Sequence, residues 1–265
     1  MSRRLCLVTG ASAGIGAAFA RIYASHGYDL ALTARRGDRL EALAEELRLR
    51  HGVEVLVIPQ DLGLPGAADA ILAEVARQGR VVDALVNNAG YGLPARYADS
   101  AWSEQQQFLQ VMLVAVCELT HKALPGMVER GFGRIVNVAS LLGLTPGPAG
   151  ATLYAATKAF LVRFSQSLHL ESRDRGVHVS VLCPGFTYSE FHDVNHTREQ
   201  ISRGVPAWMW MGADEVAANG YEAVEANRAI CVPGAPNKTI AAIAKLIPDD
   251  WGLALMAHEQ HRFRR

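Results

Sequence analysis

The chain has 265 residues, 50% of them hydrophobic and 20% charged, and its 26 basic side chains balance 26 acidic ones. Such a composition belongs to a soluble globular protein long enough for one large α/β domain. Zero formal charge speaks against an electrostatic hold on nucleic acid or on an anionic membrane, so a small, neutral or well-shielded partner fits better. Two arginines near the start precede an apolar run that stops at Gly10, too short for a signal peptide or a membrane span; it reads as a buried first strand. Cys6, Cys117, Cys183 and Cys231 are far apart and sit in apolar runs, as reduced core residues of a cytoplasmic protein do; they do not read as disulfides or metal ligands.

In chain order, LCLVT (5–9) reads as a strand and is followed by a helical pattern to about Gly27; DLALTA (29–34) then leads into the helical RLEALAEELRLR. The alternation continues with VEVLVI (53–58), ALVNN (84–88), RIVNVAS (134–140), VHVSVLC (177–183) and AICV (229–232). Seven strands separated by helix-length segments predict parallel crossovers: a doubly wound α/β fold of Rossmann type, with a seven-stranded parallel sheet and helices on both faces. No break in composition or repeat divides the chain, which therefore reads as a single domain over 1–265. In such a sheet ligands gather at the carboxyl ends of the strands, so the chemical residues are expected to follow strands.

The first strand ends in TGASAGIG, residues 9–16. Gly10 suits a tight turn, Gly14 lets the backbone approach a pyrophosphate, and Gly16 permits close packing of helix on strand, with amides at the helix N-terminus facing the anion. The spacing is G-x-x-x-G-x-G and not the common G-x-G-x-x-G, and its place between strand one and a helix is what marks a nucleotide site. At the end of the second strand, Arg35 and Arg36 stand where an acid would bond a ribose 2′-hydroxyl. Two arginines there suit a 2′-phosphate and favour NADP (NADPH) over NAD; the bland alternative is a pair of solvated loop charges.

Residues 154–158 read YAATK and open an amphipathic helix with Tyr154 and Lys158 on one face. By itself that pair is either functional or an ordinary solvated i, i+4 pair. Taken together, however, TGASAGIG, NNAG (87–90), YAATK and PGFT (184–187) resemble, in order, the motifs of the classical short-chain dehydrogenase/reductase family. Ser140, at the end of RIVNVAS, stands where that family keeps its catalytic serine.

The resemblance implies an NADP-dependent oxidoreductase acting on a carbonyl or secondary alcohol, with Ser140, Tyr154 and Lys158 as the catalytic set. It implies that Ser12, Ile15 and the amides of the loop through Gly10 and Gly14 hold the pyrophosphate, Arg35 the 2′-phosphate, and Asp61 with Leu62 the adenine. Asn88, Ala89 and Gly90 would line the cofactor's ribose and support the sheet, Thr187 would fix the nicotinamide carboxamide, and Tyr154 and Lys158 would also touch the cofactor. Plainer roles exist: Asp61 capping a turn, or Asn87 and Asn88 satisfying buried backbone. In the implied reduction Tyr154 protonates the carbonyl oxygen while Ser140 holds it by a hydrogen bond. For tyrosine to exchange protons at about pH 7–8, its pKa must fall from ~10, a change of roughly 3–4 kcal/mol. A lysine cation about 5 Å away at an effective dielectric of ~20 supplies about 3 kcal/mol.

One position departs from the family pattern. Where the helix before the fifth strand usually carries an asparagine of a proton relay, FLQVMLVAVCELTHKALPGM places Met112, and a thioether is only a weak acceptor. Either Lys158 finds another route, or the protein is a catalytically weakened NADP-binding sensor or scaffold. A dehydratase or epimerase on the same fold is a third class, recognisable by no net cofactor oxidation. Residues 186–212 read as a substrate lid within the domain. There Phe186, Phe191, Trp208, Met209, Trp210 and Met211 either wall a pocket for a bulky apolar ketone or aldehyde, pack the lid onto the body, or meet a second subunit. His192 and His196 lack a nearby third ligand and read as solvated, so no metal is expected. The resemblance further implies a homodimer or homotetramer, with helices at 103–124 and 155–173 as candidate contacts.

Overall fold

The computed structural model describes residues 3–93, 96–190 and 205–263. Strands β1 (Leu5–Thr9) and β5 (Gly133–Val138) are buried at every position, as expected of strands covered on both faces. With β2 (Asp29–Ala34), β3 (Val55–Pro59), β4 (Ala84–Asn87), β6 (Val177–Leu182) and a short β9 (Ile230–Cys231), they form a seven-stranded sheet in the order β3-β2-β1-β4-β5-β6-β9. Every pairing in it is parallel. All seven strands stand where the alternation of the sequence puts them. The strand order reverses between β1 and β4, which opens a crevice at their carboxyl ends.

Helices α1 (Gly14–Ser25) and α2 (Gly37–His51) and the helix Ala213–Glu225 cover one face through Phe19, Tyr23, Leu40, Leu47, Val216 and Val224. The other face is covered by α3 (Ala67–Arg77), α5 (Ala115–Glu129) and α6 (Thr152–Ser172), with Ile71, Val75, Leu119, Met127 and Leu168 buried there. Two further helices, Ala235–Ala244 and Asp249–Phe263, close the chain.

Two features are not legible in the pattern. Between α4 (Trp102–Leu109) and α5, residues Gln110–Val114 form a turn of π-helix, and Met112 sits inside it, fully buried. A second, two-stranded parallel sheet pairs β7 (Thr187–Tyr188) with β8 (Met211–Gly212), which ties the two ends of the lid segment together. The stretch Trp102–Glu129 is long and apolar enough to cross a membrane. Its Phe108, Met112, Leu119 and Met127 are instead buried in the core.

Candidate active site

The glycine turn is built by contacts that leave no room for a side chain. Gly10 (φ +65°) and Gly14 (φ +54°) hold left-handed conformations, and a Cβ on Gly16 would stand 2.3 Å from the carbonyl oxygen of Gly10. Asn88 Nδ2 donates to the carbonyls of Thr9 (3.0 Å) and Gly10 (3.2 Å), while Thr9 Oγ1 accepts from the amides of Asn88 (2.9 Å) and Ala89 (3.0 Å). The ends of β1 and β4 are thereby clamped to each other. Asn88 does so through its side chain, as the plainer reading of that residue allows. Ala13, the N-cap of α1, offers no side-chain cap, and the first turn holds no acid. The helix N-terminus and the glycine backbone fit a pyrophosphate.

Further out, Arg36 donates from Nη2 (3.0 Å) and Nε (3.3 Å) to Ser12 Oγ, and from Nη1 to the Glu190 carboxylate at 3.0 Å. Arg39 binds the other oxygen of Glu190. These partners hold the Glu190 carboxyl below the usual range, the Arg39 hydrogen bond most of all. Arg35 is exposed, and its charge offsets in part the rise that burial gives the Tyr91 phenol. Arg36 is thus the arginine that meets Ser12. Asp61 Oδ1 accepts from the Gly63 amide at 2.8 Å, capping the turn after β3, and Leu62 is buried beside it. Thr187 is buried and its hydroxyl donates to Gly185 O (3.1 Å) within its own turn. Ile15 packs against the core beneath α1.

Ser140 follows β5, and Tyr154 and Lys158 lie on the first turns of α6. Ser140 Oγ accepts from the Leu142 amide (3.2 Å) and is hydrogen-bonded to the Tyr154 phenol. Lys158 is 5% exposed; its Nζ donates to Val138 O at 2.8 Å and stands 5.5 Å from the centre of the Tyr154 ring. Burial pushes the Tyr154 phenol up to about 12 against the lowering effect of Ser140, and pushes Lys158 down to about 8. Burial of the two groups works against the attraction of a lysine cation for the phenolate, raising Tyr154 and lowering Lys158 in the protein alone.

Beside Tyr154 lies a small open recess of about 20 Å³ bounded by Leu93, Tyr97, Gln105, Thr152 and Leu153. Gln105 is held there by bonds from Nε2 to Tyr97 O and Ser100 Oγ, both 2.8 Å. The Trp/Met stretch is arranged differently. Met211 is buried and pairs with β7, and Trp210 packs on Tyr188 and Phe186 with ring centres 4.9 and 5.5 Å apart. Trp208 is exposed. Phe191, His192 and His196 lie outside the described residues. Among the described residues no group of three or more His, Cys, Asp or Glu side chains stands together as a metal site.

Residues 4–200 match the family model for short chain dehydrogenases. The chain belongs to the short-chain dehydrogenase family. It is 36% identical over 239 residues to nodulation protein G of a Rhizobium species (strain N33), covering 88% of this chain and 94% of that one. It is 35% identical to the NADP-dependent 3-hydroxy acid dehydrogenase YdfG of Salmonella typhi, over 82% of this chain and 81% of the relative. Among solved structures, a short-chain dehydrogenase from Sphingobium yanoikuyae in complex with NADPH superposes with a TM-score of 0.79 at 30% identity, over 88% of each chain. Family membership makes the chain an oxidoreductase of CH–OH and C=O groups.

Several residues of this short-chain dehydrogenase site escape the motifs. Asn137 Nδ2 donates to Ser165 Oγ (2.9 Å) and Asn137 Oδ1 accepts from Asn87 (2.9 Å), which also donates to Thr120 (3.1 Å). This buried network joins β4, β5, α5 and α6, and only Asn87 among its members belongs to a quoted motif. An asparagine within an otherwise apolar strand is its one signal in the sequence. Ser189, whose Cβ lies 2.9 Å from where a Cβ on Gly14 would be, and Glu190, which reaches Arg36 across 154 positions, had no local signal at all.

Proposed function

We propose that this protein is an NADP-dependent oxidoreductase that interconverts a carbonyl group and a secondary alcohol, with Tyr154 as proton donor, Ser140 holding the oxygen, and Lys158 positioning and charging the site. The observation that carries the reading is the hydrogen-bonded Ser140–Tyr154 pair, with Lys158 on the next turn of α6, at the carboxyl edge of a sheet whose first turn is a glycine cradle. Bound NADPH supplies the hydride. The residues of the chain do the rest. Gly10, Gly14 and Ile15 give the pyrophosphate its backbone, Ser12 with Arg35 and Arg36 receives the 2′-phosphate, Asp61 and Leu62 border the adenine, and Asn88 and Thr187 fix the edges of the ribose and carboxamide sites. With a phenol whose pKa is about 12, Tyr154 is fully protonated at neutral pH, the state a carbonyl reduction uses. The proposed substrate is a bulky apolar ketone or aldehyde with its carbonyl at Ser140 and Tyr154 and its body toward Leu93 and Leu153.

Exposed Val114, Phe160 and Leu170 on the two long helices support a homo-oligomer, and the balanced charge supports a cytoplasmic enzyme with no nucleic-acid or membrane partner. Fluorescence titration with NADPH and NADH, followed by a ketone and aldehyde panel read at 340 nm, tests the function. NADPH should bind more tightly and be oxidised by at least one carbonyl compound. Binding without turnover across the panel would favour a cofactor-responsive sensor, the reading that Met112 keeps open. No binding of either nucleotide would end the proposal.

A further inference from the structure

Glu190 follows directly on the P-G turn and the β7 strand, yet its carboxylate lies against the start of α2, between Arg36 and Arg39. Arg36 in turn spans from Glu190 to Ser12, a residue of the glycine turn. A carboxylate and a phosphate monoester present the same kind of oxygen to a guanidinium fork. The arginines that Glu190 holds stand just past the end of β2, at the start of α2, where a ribose 2′-substituent is read in this topology. All three side chains are well hydrated, with side-chain exposures of 40% for Arg36 and Glu190 and 44% for Arg39, so a ligand can reach and exchange for the carboxylate. Ser189, on the preceding residue, rests on Gly14 and fixes the backbone that aims Glu190.

We infer that Glu190 is a specificity-determining residue, an internal competitor that holds Arg36 and Arg39 until a cofactor carrying a 2′-phosphate takes them from it. The inference rests on the NADP reading above. A monoanionic carboxylate yields to a phosphate monoester, which carries close to two charges at neutral pH. A cofactor with a free 2′-hydroxyl brings no charge to draw the arginines away. Glu190 therefore lowers the affinity for NADPH, leaves that for NADH unimproved, and narrows the gap between them.

The test is equilibrium binding to the full chain, with NADPH, NADH, adenosine 2′,5′-bisphosphate and AMP as probes and thermal melting as a check on folding. Glu190→Gln is expected to tighten NADPH and adenosine 2′,5′-bisphosphate by about two- to fivefold, the range set by exposed ion pairs. NADH and AMP should not tighten, and the gain should shrink as salt is raised. Glu190→Ala should act in the same direction. Unchanged or weaker binding of the 2′-phosphorylated probes, or equal tightening of NADH, would overturn the inference while leaving the NADP reading in place. Failure of the unaltered chain to bind NADPH would overturn both.

Discussion

Lys158 and Tyr154 share one buried face of α6, the ammonium nitrogen 5.5 Å from the ring centre, and they are driven apart in acidity: the phenol up to about 12, the ammonium down to about 8. The same burial causes both shifts, because each group's charged form is the one disfavoured away from water. In the protein alone the pair is thus neutral tyrosine beside a lysine close to losing its proton. A phenol held this high stays protonated and is a weak acid until positive charge brought to the site lowers the cost of its phenolate.

That burial has a stability consequence. The folded-state pKa of Lys158 is below its unfolded value of 10.5, so the unfolded chain binds the extra proton between about pH 8 and 10.5 and the contribution of Lys158 to stability rises with pH across that window. At pH 7 the charged lysine costs up to about 3 kcal/mol. Lys158→Met should therefore raise Tm at pH 7 in calorimetry, with the gain shrinking toward pH 10, although the variant loses turnover. A Tm that falls equally at both pH values would mean that the bond to Val138 O outweighs the cost of burial.

The glycine turn predicts a steric effect. A methyl group on Gly16 would meet Gly10 O at 2.3 Å and Asn88 Nδ2 at 2.5 Å, both fixed by the β1–β4 clamp. Gly16→Ala should destabilise the protein by about 1–3 kcal/mol in urea titration and weaken NADPH binding at least tenfold. Gly27→Ala, where nothing stands within 4 Å, separates the effect of crowding from that of backbone conformation, and should leave NADPH binding unchanged.

Met112 fills the space against Gly90, its sulfur 2.9 Å from where a Cβ on that glycine would be, within the π-turn of Gln110–Val114. Met112→Asn puts an amide into this fully buried position and should lower stability by roughly 2 kcal/mol. Turnover at saturating substrate should stay equal or rise, because the amide is the group that the family resemblance implies for the proton relay of Lys158. A large loss of turnover in a folded variant would show that the thioether is adapted to a different arrangement around Lys158.

Most of the fold was legible because its signals are local. Apolar runs such as LCLVT and RIVNV specify strands buried on both faces, and glycine spacing specifies the turn. Local pattern left YAATK as an ordinary helical pair, and it was the ordered motifs resembling a family that singled out Ser140, Tyr154 and Lys158, which the structure brings together. What stayed hidden depends on contacts between segments far apart in the chain. The clasp of Glu190 on Arg36 and Arg39, the choice of Arg36 over Arg35 beside Ser12, and the Asn87–Asn137–Ser165 network each join two or more elements. The Coulomb attraction between Lys158 and Tyr154 can be estimated from their spacing, whereas the burial that opposes it cannot be read from the sequence.

The most direct test of the account compares NADPH binding and carbonyl-dependent NADPH oxidation in the unaltered chain and in Tyr154→Phe. Removing one hydroxyl leaves the ring, the helix and the glycine cradle in place. NADPH affinity should stay within about threefold, while turnover on any carbonyl compound the unaltered protein reduces should fall by about 10³ or more, since loss of the proton donor removes the acid step. Retention of turnover by Tyr154→Phe, with cofactor binding intact, would contradict the assignment of Tyr154 and the mechanism built on it.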